Sequence, residues 1–194
     1  INNLDKNNNP FNNLKEINEG FWIGWLSYEA GIYIEPKNPW RPSDMATLWI
    51  ASYDPIIKCN LIKKEIFVEG TNLDELINYK NIISNINNLE EKNDIKTNLS
   101  FDFSNINLEE MTEKFQENIL KLKKLILLGD LFQANLTTKC EVKSIEIYNP
   151  LDIYLKIRSK LKAPFGGIII NNFGNHKEAV LSTSPERFIK IDKE

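Results

Sequence analysis

Ala163-Pro164-Phe165-Gly166-Gly167-Ile168-Ile169-Ile170-Asn171 is a proline-fixed bend running straight into a β-branched apolar block, the pattern of a strand entered from a turn. Residues 166–171, 179–184 and 187–191 read as three strands in succession, with a turn at Phe173-Gly174-Asn175. Immediately upstream, Asn149-Pro150 forms a helix start, and Ile153, Tyr154, Ile157 and Leu161 follow at helical spacing. A helix that feeds a run of neighbouring strands predicts an α+β body.

Moving toward the N-terminus, residues 131–142 read as one or two further strands. Before them, Leu108, Met111, Phe115, Ile119, Leu122 and Ile126 make a one-sided stripe, with Asn107 and Glu110 at the N-cap and N3 positions and Gly129 as the stop. Residues 87–105 are polar and charged, a linker composition. They divide the chain into a first region over 1–104 and a second over 105–194. Within the first, residues 72–86 carry Leu73, Leu76, Ile77, Tyr79, Ile82, Ile83 and Ile86 on a helical repeat. Residues 45–53 and 56–67 read as strands, the latter pair turned near Lys63-Lys64, and the proline-rich 35–42 as a loop. Phe21-Trp22-Ile23-Gly24-Trp25-Leu26-Ser27-Tyr28-Glu29 alternates bulky and small residues, as in a strand whose glycines admit a close neighbour.

Composition narrows the function. With 42% hydrophobic and 10% aromatic residues over 194 positions, the chain can bury a sizeable core and is no disordered segment. A net charge of -3 offers no cluster of cations for phosphates, so nucleic acid is not expected as a partner. No apolar run approaches the roughly 20 residues that span a bilayer, and no signal-peptide pattern is present. Cys59, Cys140 and the lone His176 are too few for a zinc site or a disulfide framework, which points to free thiols in a cytoplasmic protein. The start on Ile1, in an Asn-rich stretch, reads as a cut from something longer.

No phosphate loop, nucleophile elbow or HExxH pair occurs, and His176 falls in an expected turn, where a solvated loop residue is the better reading. Glu109-Glu110 lies in a helical first turn, where acid favours the dipole. Three segments remain, each placing polar groups within apolar strand patterns. In Gly129-Asp130-Leu131-Phe132-Gln133-Ala134-Asn135-Leu136, Gln133 and Asn135 fall on one face, either bonding backbone or supporting a site. Ala163-Pro164-Phe165-Gly166-Gly167 is by default a structural turn. In Ser182-Thr183-Ser184-Pro185-Glu186-Arg187-Phe188, Glu186 shares a face with Ser184 and Phe188 while Arg187 points away. Surface and functional readings are then equal, and a Glu186 set in an apolar cleft would serve as a general acid.

Together, in this order and spacing, Gly129-Asp130-x-x-Gln133-x-Asn135-Leu136, Ala163-Pro164-Phe165 and Ser184-Pro185-Glu186-Arg187-Phe188 resemble the chorismate-binding enzymes, which include anthranilate synthase component I and aminodeoxychorismate synthase component I. The resemblance runs from Gly20 onward and implies an anthranilate-synthase-component-I-like fold, with large antiparallel sheets and flanking helices, only partly present. The Ala163-Pro164-Phe165 segment is similar to aminodeoxychorismate synthases, where anthranilate synthases carry an Asn-Pro-Ser-Pro-Tyr-Met-like stretch.

The resemblance implies amination of chorismate at C4 for para-aminobenzoate and folate synthesis, with ammonia from a glutamine amidotransferase partner. Glu186 matches the family's proton donor to the departing hydroxyl. The lysine nucleophile of a Pro-Ile-Lys-Gly-Thr-like segment and the carboxylates that hold Mg2+ would lie beyond Glu194, so the piece alone is expected to be inactive. Pro164, Phe165 and Gly166 match positions that line a tryptophan pocket in relatives, and Gln133, Asn135 and Ser184 would support the site. The alternatives are anthranilate synthase component I and a non-catalytic interaction module.

Overall fold

The computed structural model describes residues 2–3, 9–35, 37, 45–86, 99–172 and 177–192. It divides into two compact units, Ile1–Asn93 with Ile169–Glu178 and Asp94–Ile168 with Ala179–Glu194.

The first unit is organised by three strands and a hairpin. β1 (Asn2–Asn3), the short helix α1 (Pro10–Leu14) and β2 (Phe21–Leu26) are followed by a 3-10 helix over Tyr28–Tyr33 and by β3 (Leu48–Tyr53). The order is β1-β3-β2 with antiparallel pairing, and Trp25 sits opposite Trp49. These two indoles stack at 5.0 Å and 12°, a cross-strand aromatic pair that adds to what area alone gives. Next to them the sheet closes tightly: a Cβ on Gly24 would lie 2.0 Å from the Trp49 carbonyl oxygen. Only glycine fits this approach. The period-two rule then puts Leu48 and Ile50 inward, and with Ala30 and Ala46 they are buried.

The strand expected through Glu29 stops at Leu26, since the amide of Ala30 bonds back to the Ser27 carbonyl at 3.1 Å and winds the next turn. Most of the expected loop at 35–42 lies outside the described residues. β4 (Ile56–Asn60) and β5 (Glu65–Glu69) form an antiparallel hairpin. The Asn60 side chain accepts the amides of Ile62 and Lys63, and Lys64 takes φ 57, which turns the chain at the expected place. At the other end of the hairpin the Asp54 carboxylate accepts both the amide and the hydroxyl of Thr71. α2 (Leu73–Ile86) starts on Asn72, whose side chain accepts the Glu75 amide, and packs beside β5 over a groove of about 650 Å³.

In the second unit β6 (Phe101–Asp102) is followed by α3 (Leu108–Leu127), β7 (Lys143–Ser144) and α4 (Pro150–Lys160); β8 (Phe165–Asn171) belongs to it through Ile168, and β9 (Glu178–Ser184) from Ala179 onward. β6 pairs with β7, and β8 with β9. A strand therefore occupies part of the stretch expected to be linker. Tyr148 supports it, its hydroxyl accepting the Ser100 amide at 2.6 Å. Asn107 caps α3 by accepting the Glu110 amide. At the other end the amides of Gly129 and Asp130 bond back to the carbonyls of Ile126 and Leu125, with Gly129 at φ 81. These are the paired bonds of a glycine-stopped helix.

Two stretches expected to be strand are not. Residues 131–142 and 187–191 have no strand pairing, because alternation orients side chains but a strand also needs a partner for its backbone. The fold class stands as α+β, built from small antiparallel sheets. The turn at Phe173-Gly174-Asn175 and His176 lie outside the described residues. Cys59 and Cys140 are free and exposed. No helix among the described residues is long and apolar enough to cross a membrane.

Candidate functional site

The site is built at the open end of the β8–β9 pair. α4 begins on Asn149, whose side chain accepts the Leu151 amide at 2.9 Å, with Pro150 preset for the first helical position. The helix buries Tyr154, 4% exposed, and ends just before the Ala163-Pro164 bend. Gly166 opens β8 in a narrow space: a Cβ there would come within 3.1 Å of both the Tyr154 hydroxyl and the Ser182 carbonyl oxygen. The start of β8 is thus held between α4 and β9.

β9 stops at Ser184, where Pro185 lacks the amide needed to continue a ladder. The Ser184 hydroxyl donates to the Glu186 backbone carbonyl at 2.9 Å, folding the chain over the proline. Arg187 then sets its guanidinium 5.0 Å from the Phe165 ring centre. This cation–π contact joins two of the three segments singled out from sequence. Pro164 also lines an open groove of about 560 Å³ with Leu155, Arg158, Ser159, Lys162 and Ala163.

Glu186 is exposed, and its carboxylate makes no hydrogen bond or ion pair among the described residues. The apolar cleft envisaged around it is therefore not formed by the described residues. Because the strand ends at Ser184, the face shared by Ser184, Glu186 and Phe188 also ends there, and Phe188 is 94% exposed. Gln133 and Asn135 are exposed in the unpaired 131–142 segment, with no hydrogen bond among the described residues. They are not joined by any such bond to the other two segments.

No group of three or more His, Cys, Asp or Glu side chains among the described residues could hold a metal ion. The Phe165–Arg187 contact escaped sequence reading, although its signal was present. Once 165–171 and 178–184 are paired, the start of one strand and the end of the other become neighbours.

A family model described as chorismate binding enzyme matches residues 2–194. An anthranilate synthase component I-like protein of Synechocystis sp. is 26% identical over 99% of this chain and 39% of its own length. Anthranilate synthase alpha subunit 1, chloroplastic, of Arabidopsis thaliana is 27% identical over 77% of this chain and 29% of its own. Aminodeoxychorismate synthase, chloroplastic, of the same plant is 33% identical over 42% of this chain and 8% of its own. The chain thus spans about two fifths or less of the length of these relatives. No solved structure matches it.

Proposed function

We propose, since the chain belongs to the chorismate binding enzyme family, that its protein aminates chorismate and that Glu186 is the proton donor. The observation that carries this reading is the Ser184-Pro185-Glu186-Arg187-Phe188 segment, folded beside Ala163-Pro164-Phe165-Gly166 through the Arg187–Phe165 contact. Hydroxide leaves poorly, and a carboxyl group placed at the C4 oxygen lets it depart as water, an effect worth about 10²–10⁴-fold. Magnesium would supply charge stabilisation at the substrate carboxylate, with ligands outside this chain's described residues. Ammonia would come from a glutamine amidotransferase, and the protein would act in the cytoplasm.

Within the family we favour aminodeoxychorismate as product. Support comes from Ala163-Pro164-Phe165 and from the relative named aminodeoxychorismate synthase, 33% identical over its matched span. Anthranilate is the second reading, supported by the longer matches to relatives named for anthranilate synthase. Chromatography of the products made by the full-length protein from chorismate and ammonium decides between them. Aminodeoxychorismate is expected; anthranilate alone rejects the subtype.

The proton-donor role has its own test. Glu186→Gln in the full-length protein should lower turnover about 10²–10⁴-fold while chorismate still binds. Wild-type turnover would remove Glu186 from the mechanism.

A further inference from the structure

The geometry points to Phe165 and Arg187 as a positioning pair that sets the direction in which Glu186 is presented. The inference rests on the proton-donor reading above and extends it to residues that do not touch the reacting atoms. Since the Glu186 carboxylate has no hydrogen-bond or ionic partner among the described residues, its placement falls to the backbone that carries it. That backbone is held on both sides. Two residues earlier, the Ser184 hydroxyl holds the Glu186 carbonyl at 2.9 Å. One residue later, Arg187 lies over the Phe165 ring at 5.0 Å.

The ring belongs to the first residue of β8 and is 40% exposed. Its neighbour Gly166 lies where an added Cβ would come to 3.1 Å from both the Ser182 carbonyl oxygen and the Tyr154 hydroxyl. Tyr154 is buried in α4. A chain of contacts therefore leads from the helix, through the start of β8, to the residue next to the acid. Acid catalysis is steep in geometry, because an acid displaced by about 1 Å can lose 10²-fold in rate. A clamp adjacent to Glu186 should act on kcat and leave chorismate binding largely alone.

The test uses the full-length protein with ammonium and chorismate in magnesium buffer. Arg187→Leu and Phe165→Leu should each lower kcat about 5- to 50-fold with KM changed less than about twofold. The double variant should be no worse than the poorer single, because either change breaks the same contact. Arg187→Lys, which keeps a cation for the ring, should recover most of the lost kcat. In a Glu186→Gln background the same leucine changes should cost nothing further, since no acid is left to position. Thermal melting of each variant separates loss of fold from loss of position.

Wild-type kcat in the leucine variants, an effect confined to KM, or no recovery with lysine would overturn the pair. So would an equal loss in the Glu186→Gln background, which would mark the contact as a general support of the fold. If Glu186→Gln alone turns over normally, the proton-donor reading falls and the pair falls with it. That result is distinct from persistent losses, which leave the proton donor standing.

Discussion

β3 and α3 reach order by opposite routes. β3 contributes only six residues, yet Leu48 and Ile50 are buried and every residue has a cross-strand partner in β2. α3 is 20 residues long, capped by Asn107 and stopped at Gly129, and buries none of its side chains among the described residues. Its apolar stripe is formed as the sequence predicts, but Leu108 remains 72% exposed. The strand is specified by what lies across from it, the helix by its own ends. A helix closes its backbone hydrogen bonds within its own segment, so its ends are marked locally, whereas a strand has no hydrogen bonds of its own.

The largest test of that contrast is Leu48→Ala. Leu48 is 1% exposed, and removing a buried leucine side chain costs about 2–5 kcal/mol. Trp25 and Trp49 beside it report the loss, so denaturant unfolding followed by indole fluorescence reads the first unit directly. A change below about 1 kcal/mol would show that this core is not set by packing. The corresponding change in the helix is smaller. Asn107→Ala removes the acceptor for the Glu110 amide and should cost about 1 kcal/mol. Faster hydrogen exchange in the first turn of α3, relative to its centre, is the expected readout. Equal exchange in variant and wild type would mean that something other than the cap holds this end.

The same contrast explains what could be read in advance. Both helix starts, at Asn107 and at Asn149-Pro150, and the stop at Gly129 were legible because each signal lies within a few residues of the element it controls. The β4–β5 turn was legible for the same reason, the Asn60 side chain closing it within three residues. Residues 131–142 and 187–191 misled because alternation specifies sides without supplying a partner. The site shows both cases. Ala163-Pro164-Phe165 and Ser184-Pro185-Glu186-Arg187-Phe188 stood out as motifs, but the contact between Phe165 and Arg187 appears only once β8 and β9, consecutive in the chain, are paired so that the start of one lies beside the end of the other. The exposure of Glu186 likewise depends on which surfaces meet it, information that no local window contains.

The smallest effect separates local from distant control most cleanly, because it compares two aspartates with similar partners. Asp54 accepts from Thr71, 17 residues away, and the Thr71 hydroxyl, then its amide, hold the Asp54 carboxyl below its ordinary value of 3.8. Asp102 accepts from Ser104, two residues away, and the Ser104 hydroxyl and amide lower it in the same sense. A carboxylate whose folded pKa is depressed contributes stability that is fully present above its unfolded value and is lost as pH falls through the folded one. Both contributions therefore disappear below about pH 4, and exposure of the two groups keeps them small. Carboxyl carbon chemical shifts resolve the two titrations. Thr71→Val should raise the Asp54 midpoint and leave that of Asp102 in place; an unmoved Asp54 would contradict the hairpin clasp. Unfolding in urea should return Asp54 to its ordinary value, because its partner is brought near only by the β4–β5 pairing. Asp102 should keep part of its shift, because an Asx turn over two residues persists in an unfolded chain. Equal loss of both shifts would mean that the second unit's turns, like the first unit's strands, depend on tertiary structure.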